Sequence, residues 1–113
     1  TREDTMKLKL LTELKTALIS APLNFEFGGV IFKFTAKIKL VSESELQTLT
    51  EKQGANDGEI VRSLLVGWDD FIDDGKDVPF DKSTLEEMLA YSGITARLSV
   101  ECINAQYRIT EKN

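Results

Sequence analysis

The sequence contains no histidine, one cysteine and two prolines among its 113 residues, and nowhere does it run to the roughly 20 consecutive apolar residues of a membrane span. Without histidine it lacks the usual general base near neutral pH, the usual partner of a serine or cysteine nucleophile, and the commonest metal ligand. No catalytic residue, cofactor site or metal site is expected. A lone thiol, Cys102, makes neither an internal disulfide nor a zinc cluster, which fits a reducing compartment; its expected place is a small buried apolar position on a helix. No secretory h-region with a small-residue cleavage site opens the chain, so a cytoplasmic protein with no membrane partner is expected. The chain opens on Thr1, so Thr1–Thr5 are expected to be a leftover or disordered tail, with Met6 a natural start.

What is present suffices for one folded domain spanning 1–113: 42% hydrophobic residues, 29% charged, and a net charge of −5, the wrong sign for a protein that neutralises phosphates. Leu8, Leu11, Leu14 and Leu18, with Leu10 and Ile19, predict a helix over 7–19 that stops at Ser20-Ala-Pro22. Leu23–Phe27, Gly28-Gly29 and Val30–Leu40 read as a β-hairpin. Apolar residues at 32, 34, 36, 38 and 40 alternate with polar ones, and Lys33, Lys37 and Lys39 mark the wet face. Ser42-Glu-Ser-Glu45 is a capping box for a helix carrying Leu46 and Leu49 and stopped by Gly54. Asn56 opens another through Ile60, Val61, Leu64 and Leu65, running into Gly67-Trp68. Residues 69–80 are expected to be irregular, with Val78 in a short extended piece. Asp81 or Ser83 caps a helix through Leu85, Met88 and Leu89, ended by Gly93 in left-handed geometry. The last helix, about 95–109, aligns Leu98, Cys102, Ala105 and Ile109, broadened by Val100, Ile103 and Tyr107. The expected fold is α+β: an N-terminal helix and a β-hairpin packed with three to four short helices, helix-rich in the C-terminal half.

Acid is concentrated in one place. Residues 69–87 hold eight acids against Lys76 and Lys82. Setting Gly75 at the sixth position of a calcium loop puts Asp70 first, Asp74 fifth and Asp81 twelfth, but it puts Ile72, which has no side-chain oxygen, third. A solvated acidic loop is the expectation. Paired carboxylates flanked by Gly75 and Lys76 lack the pocket that acid–base chemistry needs, and Gly28-Gly29 leads into a strand rather than a phosphate-binding helix. Trp68, Phe71 and Phe80 pin the two ends of this segment to a core, or leave part of an aromatic cluster open to a partner.

The string Val61-Arg-Ser-Leu-Leu-Val-Gly-Trp68-Asp-Asp-Phe71-Ile, a polar turn, Val78-Pro-Phe80-Asp, and then a helix with Leu85 and Leu89 resembles the tail assembly chaperones of long-tailed phages and prophages over about residues 60–107. In that family a helix ends in a Gly-Trp or similar pair. The resemblance implies a non-enzymatic factor in the host cytoplasm that coats the tape-measure protein and is displaced as major tail protein polymerises. It also implies Trp68, Phe71, Val78, Phe80 and Leu85 as motif core or partner contacts, and in some members a longer form made by frameshifting. A coating factor needs weak, repeated contacts with apolar stripes, which a small amphipathic module supplies. An exposed edge strand adds a route to self-association. The alternative is a small acidic adaptor or regulatory module that binds a protein through its acidic loop.

Overall fold

A computed structural model describes residues 8–51 and 56–111. The expectations for Thr1–Thr5, Met6 and the Gly54 stop lie outside the described residues. The elements are α1 (Lys9–Leu14), β1 (Leu18–Phe27), β2 (Val30–Lys39), α2 (Glu43–Glu51), α3 (Asp57–Leu64), β3 (Leu65–Asp69), β4 (Ile72–Asp73), β5 (Lys76–Asp77), α4 (Lys82–Leu89) and α5 (Ser92–Ala105). The fold is α+β, as the patterning implies. An antiparallel sheet has the order β1-β2-β3, with α3 and α5 packed against it in the core, and β4 and β5 form a separate two-stranded ribbon.

The alternation of β2 decides which face is covered. Phe34, Ala36 and Ile38 are buried and stand opposite Leu23, Ala21 and Ile19 of β1. On the other side of β2, Ala36 meets Trp68 and Ile38 meets Leu65. Onto this apolar surface pack Val61 and Leu64 of α3 and Ile94, Leu98, Cys102 and Ala105 of α5. On the uncovered face Lys37 donates to Ser20 Oγ at 3.0 Å and pairs with Asp69 at 3.2 Å. Gly28 and Gly29 both take positive φ, +62° and +82°, the backbone a two-residue hairpin turn requires.

The first helix is shorter than its leucine spacing predicts, and β1 begins at Leu18. Ile19, Ala21, Leu23 and Phe25 also fit a period of two, and a ten-pair ladder with β2 gives them partners, whereas α1 buries nothing. Pro22 therefore lies inside a strand instead of ending a helix. Phe27 and Val30 close the turn as a hydrogen-bonded pair, so even-numbered residues of β1 point their backbone groups outward. Pro22 falls where its missing N–H costs the ladder nothing, as an edge strand allows. Arg108 Nη1 covers the outward carbonyl of Ser20 at 3.3 Å. The outer edge of β1 is thus blunted along its middle against strand addition.

Three caps form as the sequence implies. Glu45 N donates to Ser42 Oγ at 3.2 Å, Glu59 N to Asn56 Oδ1 at 2.9 Å, and Ser83 N to Asp81 Oδ1 at 3.3 Å, so Asp81 rather than Ser83 is the cap of α4. Elsewhere tertiary structure overrides the local pattern. The helix begun at Asn56 stops at Leu64, and Leu65–Asp69, including Gly67-Trp68, becomes the third strand because β2 offers an unpaired edge beside it. A register shift at Lys37/Ile38 absorbs Val66. The segment 69–80 is more ordered than expected: Asp74 and Gly75 take φ of +53° and +74° and turn the β4–β5 ribbon, leaving Val78 just beyond it.

Gly93 does not end α4. The helix stops at Leu89 with Ala90 still in helical geometry, and Gly93 lies in the first turn of α5. There it accommodates an aromatic ring: a Cβ at position 93 would overlap Phe27, with Cδ1 only 3.0 Å and Cζ only 3.2 Å away. Gly93→Ala is expected to lower stability by about 1–2 kcal/mol through overpacking. In a Phe27→Ala background the sign should reverse, because the better helix former then meets no ring. A thermal-denaturation double-mutant cycle reads this directly, and a stabilising effect in both backgrounds would contradict the contact.

The last helix ends at Ala105, four residues before its expected end. Ile109 is 80% exposed, and Tyr107 and Val100 are exposed with it. Gln106 stops the helix usefully: its Nε2 donates to Lys39 O at 2.9 Å and its Oε1 accepts from Val41 N at 2.9 Å. A side-chain amide thereby pairs the backbone just past the end of β2.

Candidate functional site

The residues of the Gly-Trp/Pro-Phe pattern do come together. Trp68 projects from β3 onto the covered face, edge-on to Phe80 (centroids 4.7 Å), Phe71 (5.1 Å) and Phe34 (5.7 Å), while Phe34 and Phe71 stack at 4.7 Å. The indole N–H donates to Val78 O at 2.8 Å, and Val78 N donates to Phe71 O at 2.7 Å. Both ends of the acidic ribbon are thus tied to one tryptophan. Trp68, Phe71 and Leu85 are buried, and Val78 and Phe80 are partly buried against them. Trp68 and Phe71 are closed to a partner unless the core opens, whereas Phe80 and Leu85 line a surface groove of about 250 Å³ with Leu65 and Val66.

The carboxylates of the ribbon point to water. Asp69, Asp70, Asp73, Asp74 and Asp77 are exposed, and Asp81 serves as a helix cap. Among the described residues no group of three or more His, Cys, Asp or Glu side chains is gathered closely enough to hold a metal ion. Arg62 grips Glu86 with two hydrogen bonds, 2.7 and 2.9 Å. That contact raises the guanidinium pKa and lowers the carboxyl pKa, but the pair is solvent-exposed and contributes little. Glu101, nearly buried, is held by Arg108 at 2.6 Å and Arg97 at 3.3 Å. Through Arg108 it fastens α5 to β1. Cys102 is buried as expected, and burial pushes its thiol up to about 12, with the Glu101 charge adding to the effect.

No family model, curated protein or solved structure matches this chain. The surface itself must therefore indicate what the protein can bind. No helix among the described residues is long and apolar enough to cross a membrane.

Where the tip of the β1–β2 hairpin meets the start of α5, an open groove of about 330 Å³ is lined by Phe27, Val30, Phe32, Tyr91 and Ile94. Val30 and Tyr91 are more than half exposed, and Phe27 meets Tyr91 edge-on at 6.1 Å. Ile31 stands exposed on the opposite side of the tip. Sequence reasoning passed over this groove because it read Phe27 and Val30 only as strand ends beside the Gly28-Gly29 turn and Phe32 as one more residue of the apolar face.

Proposed function

We propose that this chain is a tail assembly chaperone of a long-tailed phage or prophage: a non-enzymatic factor of the host cytoplasm that binds the tape-measure protein, keeps it soluble, and yields it to major tail protein. The observation that carries the reading is the groove under the hairpin tip. It is open and lined by apolar and aromatic side chains, which suits weak and reversible contact with the apolar stripe of a long helical client. The Gly67-Trp68 to Leu85 string adds the family resemblance, and its tying of the ribbon to the core suits a scaffold that must hold its shape while clients come and go. The exposed acidic ribbon favours one second reading, an adaptor that recognises a basic partner, whose binding would weaken steeply with salt.

Co-expression with the tape-measure protein of the same phage or prophage tests the proposal. The expected result is a larger soluble fraction of the client and its co-purification. Val30→Glu, at an exposed position, should abolish co-purification while leaving the melting temperature within about 2 °C. A folded wild-type protein that neither solubilises nor retains the client would overturn the reading. Retention abolished by moderate salt but unaffected by Val30→Glu would move it to the acidic ribbon.

A further inference from the structure

We infer that the leucine stripe of α1 is a pairing surface for a second copy of this chain, the two α1 helices lying antiparallel about Leu11. The inference is independent of the client-binding groove, which lies at the hairpin tip. α1 buries none of its residues: Leu8, Leu10, Leu11, Leu14 and the following Leu18 are between 47% and 70% exposed. Five leucines this open in so short a span exceed the scattered apolar residues of an ordinary surface. Leu11 and Leu14 also form one wall of an open groove of about 560 Å³, whose other wall is Leu40 and Val41 at the start of the β2–α2 connection. None of the described residues fills that groove.

Two observations commit the occupant to a second copy. The first is the symmetry of the stripe. With a two-fold axis at Leu11, Leu8 of each copy lies opposite Leu14 of the other and Leu11 meets itself, while Lys9 and Glu13 stay on the far side of the helix in water. Such a self-complementary patch is what an isologous dimer requires. The second is area. Leu8, Leu11 and Leu14 on the seam, with Leu10 and Leu18 at its flanks and Leu40 and Val41 on the groove wall, make a reciprocal patch of the small class that supports weak, concentration-dependent association. The rim is complementary as well, since the groove carries Lys15 on one wall and Glu45 on the other, groups not paired with each other within the chain.

Sedimentation of the full chain should give a concentration-dependent dimer of twice the 12.7 kDa monomer mass, with dissociation in the micromolar range expected for a small interface. Leu11→Glu and Leu11→Lys each put two like charges at the axis and should weaken dimerisation at least about 100-fold. Because α1 has no buried residues, both variants should melt with the wild type at concentrations below dimer dissociation. Mixed in equal amounts they should form a heterodimer, which a generic sticky patch would not produce. A wild-type chain that stays monomeric at about 100 µM, well above that range, would overturn the inference. So would variants that dimerise like the wild type, or a mixture that stays monomeric. If the monomeric chain instead loses client binding on Leu11→Glu, the stripe belongs to the client and not to a second copy.

Discussion

Trp68→Ala is expected to cost about 3–5 kcal/mol, the range for truncating a buried aromatic. That is a large share of the roughly 5–15 kcal/mol that holds a domain of this size together. Two effects act together. The indole is 5% exposed and touches three aromatic rings, so its removal leaves a cavity that Phe34, Phe71 and Phe80 cannot all fill. Its N–H is also the donor to Val78 O, and loss of that bond frees the base of the β4–β5 ribbon. Thermal denaturation followed by circular dichroism should show a melting temperature lower by on the order of 15–25 °C. Limited proteolysis should find new cleavage within 70–77. Trp68→Phe separates the two effects: most of the packing stays and only the donor goes, at a cost of about 1–2 kcal/mol. An alanine variant within 1 kcal/mol of the wild type, with the ribbon still protected, would mean that the tryptophan is not the anchor its contacts indicate.

The same residues show where a sequence can be read and where it cannot. β2 was legible because nine consecutive residues alternate without a break, and the caps were legible because Ser42, Asn56 and Asp81 act on backbone groups only two or three residues away. β3 was not. Val66-Gly67-Trp68 follows a helical pattern directly, and its strand conformation comes from the unpaired edge of β2, about thirty residues earlier in the chain. Leu18 and Ile19 satisfied the helical and the strand period equally well, and the ladder decided between them. Gly93 was misread for a related reason. Locally it is a helix stop, but its absent side chain is required by Phe27, which only the folded hairpin brings near. The Asp74-Gly75 pair was a turn signal available in the sequence, obscured by the charge around it.

The candidate site was legible in a different sense. Trp68, Phe71, Val78, Phe80 and Leu85 do form one cluster, so spacing located a true structural unit. Spacing did not show that most of the unit faces inward. The groove under Phe27, Val30 and Tyr91 forms where the hairpin tip meets the start of α5, residues far apart in the chain, and it is a property of the assembled layers.

Alkaline pH should expose the second large effect, through Cys102. An ordinary thiol titrates near 9, while in the folded protein burial first, and the neighbouring Glu101 charge second, push Cys102 up to about 12. Between those values the unfolded chain has released a proton that the folded chain still holds. Stability is therefore intact below about pH 9 and is lost as pH rises toward 12. The loss amounts to about 2 kcal/mol by pH 10.5 and about 4 kcal/mol when complete. Cys102→Ala removes this titration at the expense of a small cavity, about 1–2 kcal/mol at neutral pH. The melting temperatures of the two proteins should consequently converge as pH rises and meet near pH 10–10.5. In the native state the thiol should resist alkylation at pH 8, labelling only as fast as the core opens, because the thiolate is the nucleophile and almost none is present. Parallel melting curves across pH 8–11 would contradict the assignment, as would rapid stoichiometric labelling of the folded protein. Either result would mean that water reaches the centre of the α5 face, where Leu98, Cys102 and Ala105 close over the sheet.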